Sequence, residues 1–388
     1  MVLRRMGSKY AEAGVDVRKR GIEVFKETIH NLFPEAFCVV TEDPDLSGYG
    51  LVTHTDEAGS KAVQAYLHWK ETGDFNWFKG LAQDVLAMNL DDIICVGAKP
   101  INFVDYVALN PLKIPKANLL NILNSGFKEC IETLQHYGIR ILFSGGETGE
   151  LPDQIRTLDI SGTMNGRVEL SRAITGTDIK KGNVIIGLRS GGKTKYEAEE
   201  NSGIMCNGLT LARLCLMSRD YQEKYPEIVD AERRGYYGRF RFDQHLDELG
   251  MTVGEALLSP TRFFAPAVIR VLEKCGPSVS GLVHNTGGGQ TKCLRVGRNI
   301  HYVKDNLFDA DSLFKLVQKE SGESWKDMFE TYNMGTGFEI IATSEAAEDV
   351  LSVSESFGLE AKIIGRCGKS DGMNKLTIRS PQGEFRYG

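Results

Sequence analysis

Ile101-Asn102-Phe103-Val104-Asp105-Tyr106-Val107-Ala108, a helical run over 117–137 closed by Gly138, and Ile139-Arg140-Ile141-Leu142-Phe143 running into Ser144-Gly145-Gly146 form the stretch that decides the fold class. The β-branched and aromatic segments read as strands, and the twenty or so residues between them are long enough for a helix. Working outward, Tyr49, Leu51 and Thr53 begin an extended run ending at His54-Thr55-Asp56, and a long helix or helix pair follows to about residue 96. Ile22, Phe25, Ile29 and Leu32 recur at helical spacing over 21–33, and Leu158, Ile160, Gly162 and Met164 alternate as one more strand. The polar run Ser171 to Gly182 reads as a linker. Beyond it the pattern restarts with a strand at Val184–Leu188, a helix from Gly208 to Met217, a helix over Phe263–Cys275, strands at Val279–Val283 and Phe338–Ala342, a helix over Ala346–Phe357 capped by Ser344, and a strand at Ala361–Gly365. Residues 219–250 have no clean period and read as an insertion. The expectation is an α+β chain of two domains, 1–172 and 173–388.

Composition narrows the function. The 388 residues carry a net charge of −6 without a long Lys/Arg run, so the phosphate-neutralising footprint of a nucleic-acid binder is missing. No stretch approaches the ~20 apolar residues of a membrane span, and the N-terminus has no apolar signal core, which points to the cytoplasm. Eight dispersed cysteines without a CxxC pair read as reduced, mostly buried hydrophobes. Seven histidines show neither HxxxH nor HExxH, so any metal is expected to be held by oxygen.

Four segments carry chemistry. In Asp56-Glu57-Ala58-Gly59-Ser60-Lys61 two strand-end carboxylates precede a helix start, a set that suits Mg²⁺ and phosphate as well as a solvated helix start. Asp91-Asp92 end a helix whose dipole disfavours negative charge, so a compensating cation is expected beside them. Gly145-Gly146-Glu147-Thr148-Gly149-Glu150 reads either as a plain turn or as a backbone that lets a ligand approach Glu147. Thr286-Gly287-Gly288-Gly289 reads as an anion-binding nest or a flexible loop. P-loop, kinase and GxSxG signatures are absent.

Taken in order, Tyr10-Ala11-Glu12-Ala13-Gly14-Val15-Asp16, Asp56 to Lys61, the spacing from Asp92 to Gly97-Ala98-Lys99-Pro100 and on to Phe103-Val104-Asp105-Tyr106, Gly145 to Glu150, Asn207-Gly208, Leu258 to Arg262, Thr286 to Gly289 and Tyr332 to Gly337 resemble the phosphoribosylformylglycinamidine cyclo-ligase (AIR synthetase) family. Where that family has HSNG, this chain has Met205-Cys206-Asn207-Gly208, and where it has DGVGTK this chain has Asp56-Glu57-Ala58-Gly59-Ser60-Lys61. The resemblance implies a homodimer whose N-terminal domains share a β-barrel, a C-terminal sheet packed with helices, and ATP-dependent closure of formylglycinamidine ribonucleotide to aminoimidazole ribonucleotide. It further implies ATP and Mg²⁺ as cofactors. Asp56, Asp92 and Glu147 would hold the metal, and Asp56, Gly59, Lys61, Asp92, Gly145, Gly146, Glu147 and Thr148 the nucleotide, with Asp56, Lys61, Asp92 and Glu147 acting in catalysis. Asn207, Gly208, Thr286, Gly287, Gly288 and Gly289 would bind the substrate. A small-molecule kinase of the same superfamily and a catalytically silent binding protein are the alternatives.

Overall fold

Every second residue from Leu158 to Val168 is buried, the mark of a strand with one face on a core. A computed structural model describes residues 8–17, 21–230, 232 and 235–388 and places this strand at the centre of a five-stranded sheet. In chain order the first half contains β1 (Tyr49–Glu57), α1 (Lys61–Thr72), α2 (Gly80–Ile93), β2 (Lys99–Leu109), α3 (Lys116–His136), β3 (Leu142–Glu150) and β4 (Leu158–Glu169). Across the sheet the order is Thr41–Glu42, β1, β4, β2, β3, with β4 antiparallel to β1 and β2. Strands β2 and β3 are parallel because α3 returns the chain before β3 begins. Helix α2 packs on β1 and β4 and is itself packed by α3, burying Val52, Val85, Leu86, Phe103, Ile160 and Met164 in one core.

Two expectations need correction here. The segment 139–143 was expected as a strand followed by a turn, but the strand starts at Leu142 and continues through Gly145 to Glu150 as the outer edge of the sheet. Parallel pairing with β2 supplies the backbone hydrogen bonds of this glycine-rich segment. Over 21–33 the helix is only a 3-10 turn, Ile22–Glu27, with Phe25 and Ile29 exposed, so its periodicity finds no partner surface in this chain.

The second half comprises β5 (Val184–Arg189), α4 (Leu209–Leu216), α5 (Ala265–Cys275), β6 (Val279–His284), β7 (Ile300–Lys304), α6 (Ser312–Ser321), β8 (Thr336–Ala342), α7 (Ala347–Ser356), β9 (Ala361–Lys369), β10 (Lys375–Ser380) and β11 (Gly383–Tyr387). They form a seven-stranded sheet in the order β6-β8-β5-β9-β7-β10-β11, with β8 buried along its whole length. Helix α7 packs on β5, β9 and α5. Ser344 does not cap α7; it opens a 3-10 turn, Ser344–Ala346, that leads into the helix. Strands β7, β10 and β11 and helix α6 were not foreseen. The linker segment is tied down, since Ile174 N–H donates to the Val96 carbonyl. Among the described residues no helix is long and apolar enough to cross a membrane.

The insertion 219–250 packs on α1. Tyr66 Oη donates to Glu227 at 2.6 Å, and His68 lies between Trp77 and Phe242 with ring centroids at 4.5 and 4.6 Å. Burial pushes His68 down to about 3 from its ordinary 6.5. Between these values the unfolded chain takes up a proton that the folded chain refuses, so stability falls as pH drops below 6.5, by ~1.4 kcal/mol per unit. Urea unfolding at pH 7 and pH 5 should show the natural chain losing about 2 kcal/mol more than His68→Gln.

Candidate functional site

Asp92 sits at the end of α2, where it joins the two halves. Its Oδ2 is 3.1 Å from His54 Nε2 on β1, and its Oδ1 is 2.7 Å from His284 Nδ1 at the end of β6. Burial raises the carboxyl, but His54 and His284, with Lys292 nearby, hold it well below the usual carboxylate range. For His54, burial pulls downward and the Asp92 charge overcomes it, so the imidazole titrates above its ordinary value. Asp91, one residue earlier, points elsewhere: it accepts the Phe264 and Ala265 N–H groups at 2.9 and 2.8 Å and caps α5. Burial lifts Asp91 to about 7, against His284 and those two N–H groups, which pull it down. The compensation expected for the Asp91-Asp92 pair thus comes, for Asp92, from contacts with His54 and His284, while a helix N-terminus receives Asp91.

The turn after β1 abuts the second half. A Cβ on Gly59 (φ +59°) would stand 3.6 Å from the Cys206 carbonyl, and Thr210 Oγ1 donates to Ser60 Oγ at 3.1 Å. Asp56 lies at the half-exposed end of β1. Lys61 turns into the interior. It is fully buried, and its ammonium is held by Asp84 Oδ1 at 2.6 Å and by the Ser259 carbonyl. Asp84 also accepts Thr261 N–H at 2.7 Å and Thr261 Oγ1 at 2.6 Å, so the Leu258 to Arg262 segment clamps the halves together. The expectation of Lys61 on phosphates is not met in this conformation, because a buried carboxylate holds its charge.

Asn207 and the glycine loop lie side by side. A Cβ on Gly287 would meet Asn207 Oδ1 at 3.2 Å, and Lys292 Nζ donates to Thr286 Oγ1 at 2.8 Å. Tyr332 is what holds the two segments side by side. Its hydroxyl donates to the Gly208 carbonyl at 2.7 Å, a Cβ on Gly208 (φ +76°) would lie 2.1 Å from its ring, and one on Gly289 would lie 2.3 Å from its carbonyl oxygen. Gly208 and Gly289 are therefore packing glycines, while Asn207 and Gly287 are partly exposed and Thr286 and Gly288 are buried beside them. Met205, where the family has histidine, is buried and held at φ +56°, a conformation that costs about 1–2 kcal/mol. Gly208→Ala should destabilise the chain by about 2–5 kcal/mol through steric overlap and left-handed strain, read as a lowered melting temperature.

The Gly145 to Thr148 segment is elsewhere. Register carries Asp56 to Gly162, Gly162 to Asp105 and Asp105 to Gly146 across four adjacent strands. Glu147 follows Gly146, so by the period-two alternation of a strand it points to the face opposite Asp56, about 14 Å away across three strand spacings. Asp56, Asp92 and Glu147 thus do not meet within one chain. Gly146 has a structural reason, since a Cβ there would lie 2.0 Å from Asp105 Oδ1. The sequence reading assigned no role to Cys38, His54, Asp84, Asp105, His284, Lys292 or Tyr332. His54 and His284 abut quoted motifs, and only that adjacency could have marked them.

Fold and junction together define a two-domain α+β protein whose halves meet over a glycine loop and a histidine-bound carboxylate. A model described as AIR synthase related protein, N-terminal domain, matches residues 37–168, and the corresponding C-terminal domain model matches 180–375. The chain belongs to the AIR synthase related protein family, and it is an enzyme of that family. The phosphoribosylformylglycinamidine cyclo-ligase of Methanocaldococcus jannaschii is 34% identical over 83% of this chain and 79% of its own length. That of Methanococcus vannielii is 33% identical over 92% and 91%. Among solved structures, hydrogenase maturation protein HypE in complex with ATP aligns with a TM-score of 0.55 at 14% identity, covering 97% of this chain and 95% of that one. Thiamine-monophosphate kinase from Stenotrophomonas maltophilia aligns at 0.51 and 16%, covering 86% of each chain. At these identities the structural likeness is one of fold.

Proposed function

We propose that this chain catalyses ATP-dependent cyclisation of formylglycinamidine ribonucleotide to aminoimidazole ribonucleotide, with release of ADP and phosphate. The observation that carries the reading is the seam between the halves, where Asp92 binds His284, Lys292 donates to Thr286 and Asn207 lies beside Gly287, with Asp56 on the same face of β1 as His54. A glycine loop with a lysine on its threonine suits a phosphate group, and Asn207 beside it offers amide hydrogen bonds to a ribonucleotide. An amide oxygen is a poor leaving group; phosphoryl transfer from ATP makes it an iminophosphate, the amidine nitrogen attacks the same carbon, and phosphate departs. This chain's residues position the reacting groups and stabilise charge, as phosphoryl transfer requires.

Asp56 fits an oxygen-seeking Mg²⁺, which would neutralise phosphate charge, whereas Asp92, bonded to His54 and His284, sits among nitrogen donors that suit magnesium less well. In this reading Asp92 orients His284 and the loop behind it, and Glu147 joins the metal set from a second copy of the chain. The edge strand β3, with exposed Leu142 and Phe143, and the exposed Ile101 and Tyr106 of β2 suit closure of the sheet against that copy. We place the enzyme in the cytoplasm and its domains at 1–172 and 173–388.

Purified protein incubated with MgATP and formylglycinamidine ribonucleotide should release ADP and aminoimidazole ribonucleotide in equal amounts. A stable phosphate ester would indicate a kinase, and no ADP above background a silent binding protein. Sedimentation over a dilution series should show a dimer at micromolar concentration; an active monomer there would refute the shared site.

A further inference from the structure

We propose that Cys38, His54 and Asp92 form a binding site for a soft-to-borderline divalent cation of the zinc class, distinct from any nucleotide-bound Mg²⁺. One donor atom from each lies within 4.8 Å of the other two. Tetrahedral zinc with bonds of about 2.0–2.3 Å needs its donors roughly 3.3–3.8 Å apart, so small adjustments, among them a slight opening of the 3.1 Å His54–Asp92 contact, complete three protein ligands and leave the fourth position for water. The donor set of thiolate, imidazole and carboxylate selects zinc or cobalt over magnesium. Local spacing could not show it, because the three residues come from a loop, a strand and a helix end. The expectation of oxygen ligands alone is revised accordingly.

The independent observation is that two of the three ligands already carry outer partners. Asn89 Nδ2 donates to the Val85 and Asp56 carbonyls at 2.9 and 3.3 Å, so its Oδ1 must be the atom facing His54 Nδ1 at 3.2 Å. His54 Nδ1 therefore carries a hydrogen and Nε2 is aimed at Asp92 Oδ2, an arrangement that requires a proton or a metal between them. Asp92 Oδ1 is in turn fixed by His284. Metal-bound histidines and carboxylates are oriented in this way by a second layer of hydrogen bonds. Cys38 is buried with its Sγ 3.1 Å from the Asp92 carbonyl, and the partly exposed His54 provides the entry path. Binding would displace the Cys38 thiol proton and the His54 Nε2 proton, so one M²⁺ enters and two H⁺ leave, with charge balanced.

The test uses the full chain without nucleotide, titrated anaerobically with Co²⁺. One equivalent should give thiolate-to-cobalt charge transfer and tetrahedral visible bands, be displaced by Zn²⁺ and persist in millimolar Mg²⁺. Cys38→Ala should remove the charge-transfer band, and Asn89→Ala, which alters only the outer layer, should weaken binding about 10–100-fold. A pH-stat titration of the natural chain with Zn²⁺ should release two protons per ion, a readout needing no variant to fold. Absence of the bands, displacement by Mg²⁺, or bands unchanged in Cys38→Ala would overturn the site. Neither arm involves turnover, so this result and the cyclo-ligase reading stand or fall separately.

Discussion

Replacing Lys304 by methionine should cost about 3–5 kcal/mol of stability, because it strands the Glu339 carboxylate in the core. Both side chains are wholly buried, and Lys304 Nζ also donates to the Gln290 carbonyl at 2.8 Å while Glu339 Oε1 accepts from Asn285 Nδ2 at 2.7 Å. The pair therefore braces both ends of the glycine loop from beneath. Changing Lys304→Met and Glu339→Leu together should recover most of the loss, since an apolar pair of similar volume leaves no uncompensated charge. Urea unfolding of the single and double variants measures this. A single-variant loss below about 1 kcal/mol would mean that the charges are solvated after all.

Asp92→Asn should lower turnover at least about 100-fold, the scale of removing one preorganised electrostatic group from an active site. The geometry also predicts a cost in stability. An amide cannot hold His54 and His284 at once as a carboxylate does, so the variant should also melt at a lower temperature and lose the tie between α2 and β6. On the proposed function, in which Asp92 orients the loop through His284, the Michaelis constant for formylglycinamidine ribonucleotide should rise as the turnover number falls. Steady-state kinetics beside a melting curve separates the effects, and full activity would sink the assignment.

Much of the architecture could be read from local pattern. The alternation from Leu158 to Met164, the helix over 117–137 with its closing glycine and the strand at Ile101–Ala108 carried enough period to survive in the fold. Residues 21–33 show the limit, since a helical period forms a helix only where a surface receives its apolar face. Strand β3 shows the converse: a glycine-rich segment paired because its neighbour's hydrogen-bonding groups were waiting for it.

The site divides in the same way. Sequence by itself determined which residues are chemically able: Asp56, Asp92, Asn207 and the glycines of 286–289, whose types and order no folding step changes. Tertiary structure alone decided which of them lie together and which brace the packing. It spent Lys61 on Asp84, packed Gly208 and Gly289 against Tyr332, turned Glu147 to the far face of the sheet, and brought Cys38, His54 and His284 to Asp92 from as far as 192 residues away. The physical reason is that a buried charge must be compensated wherever a partner can be found. That partner is chosen by proximity in space, which spacing along the chain does not encode.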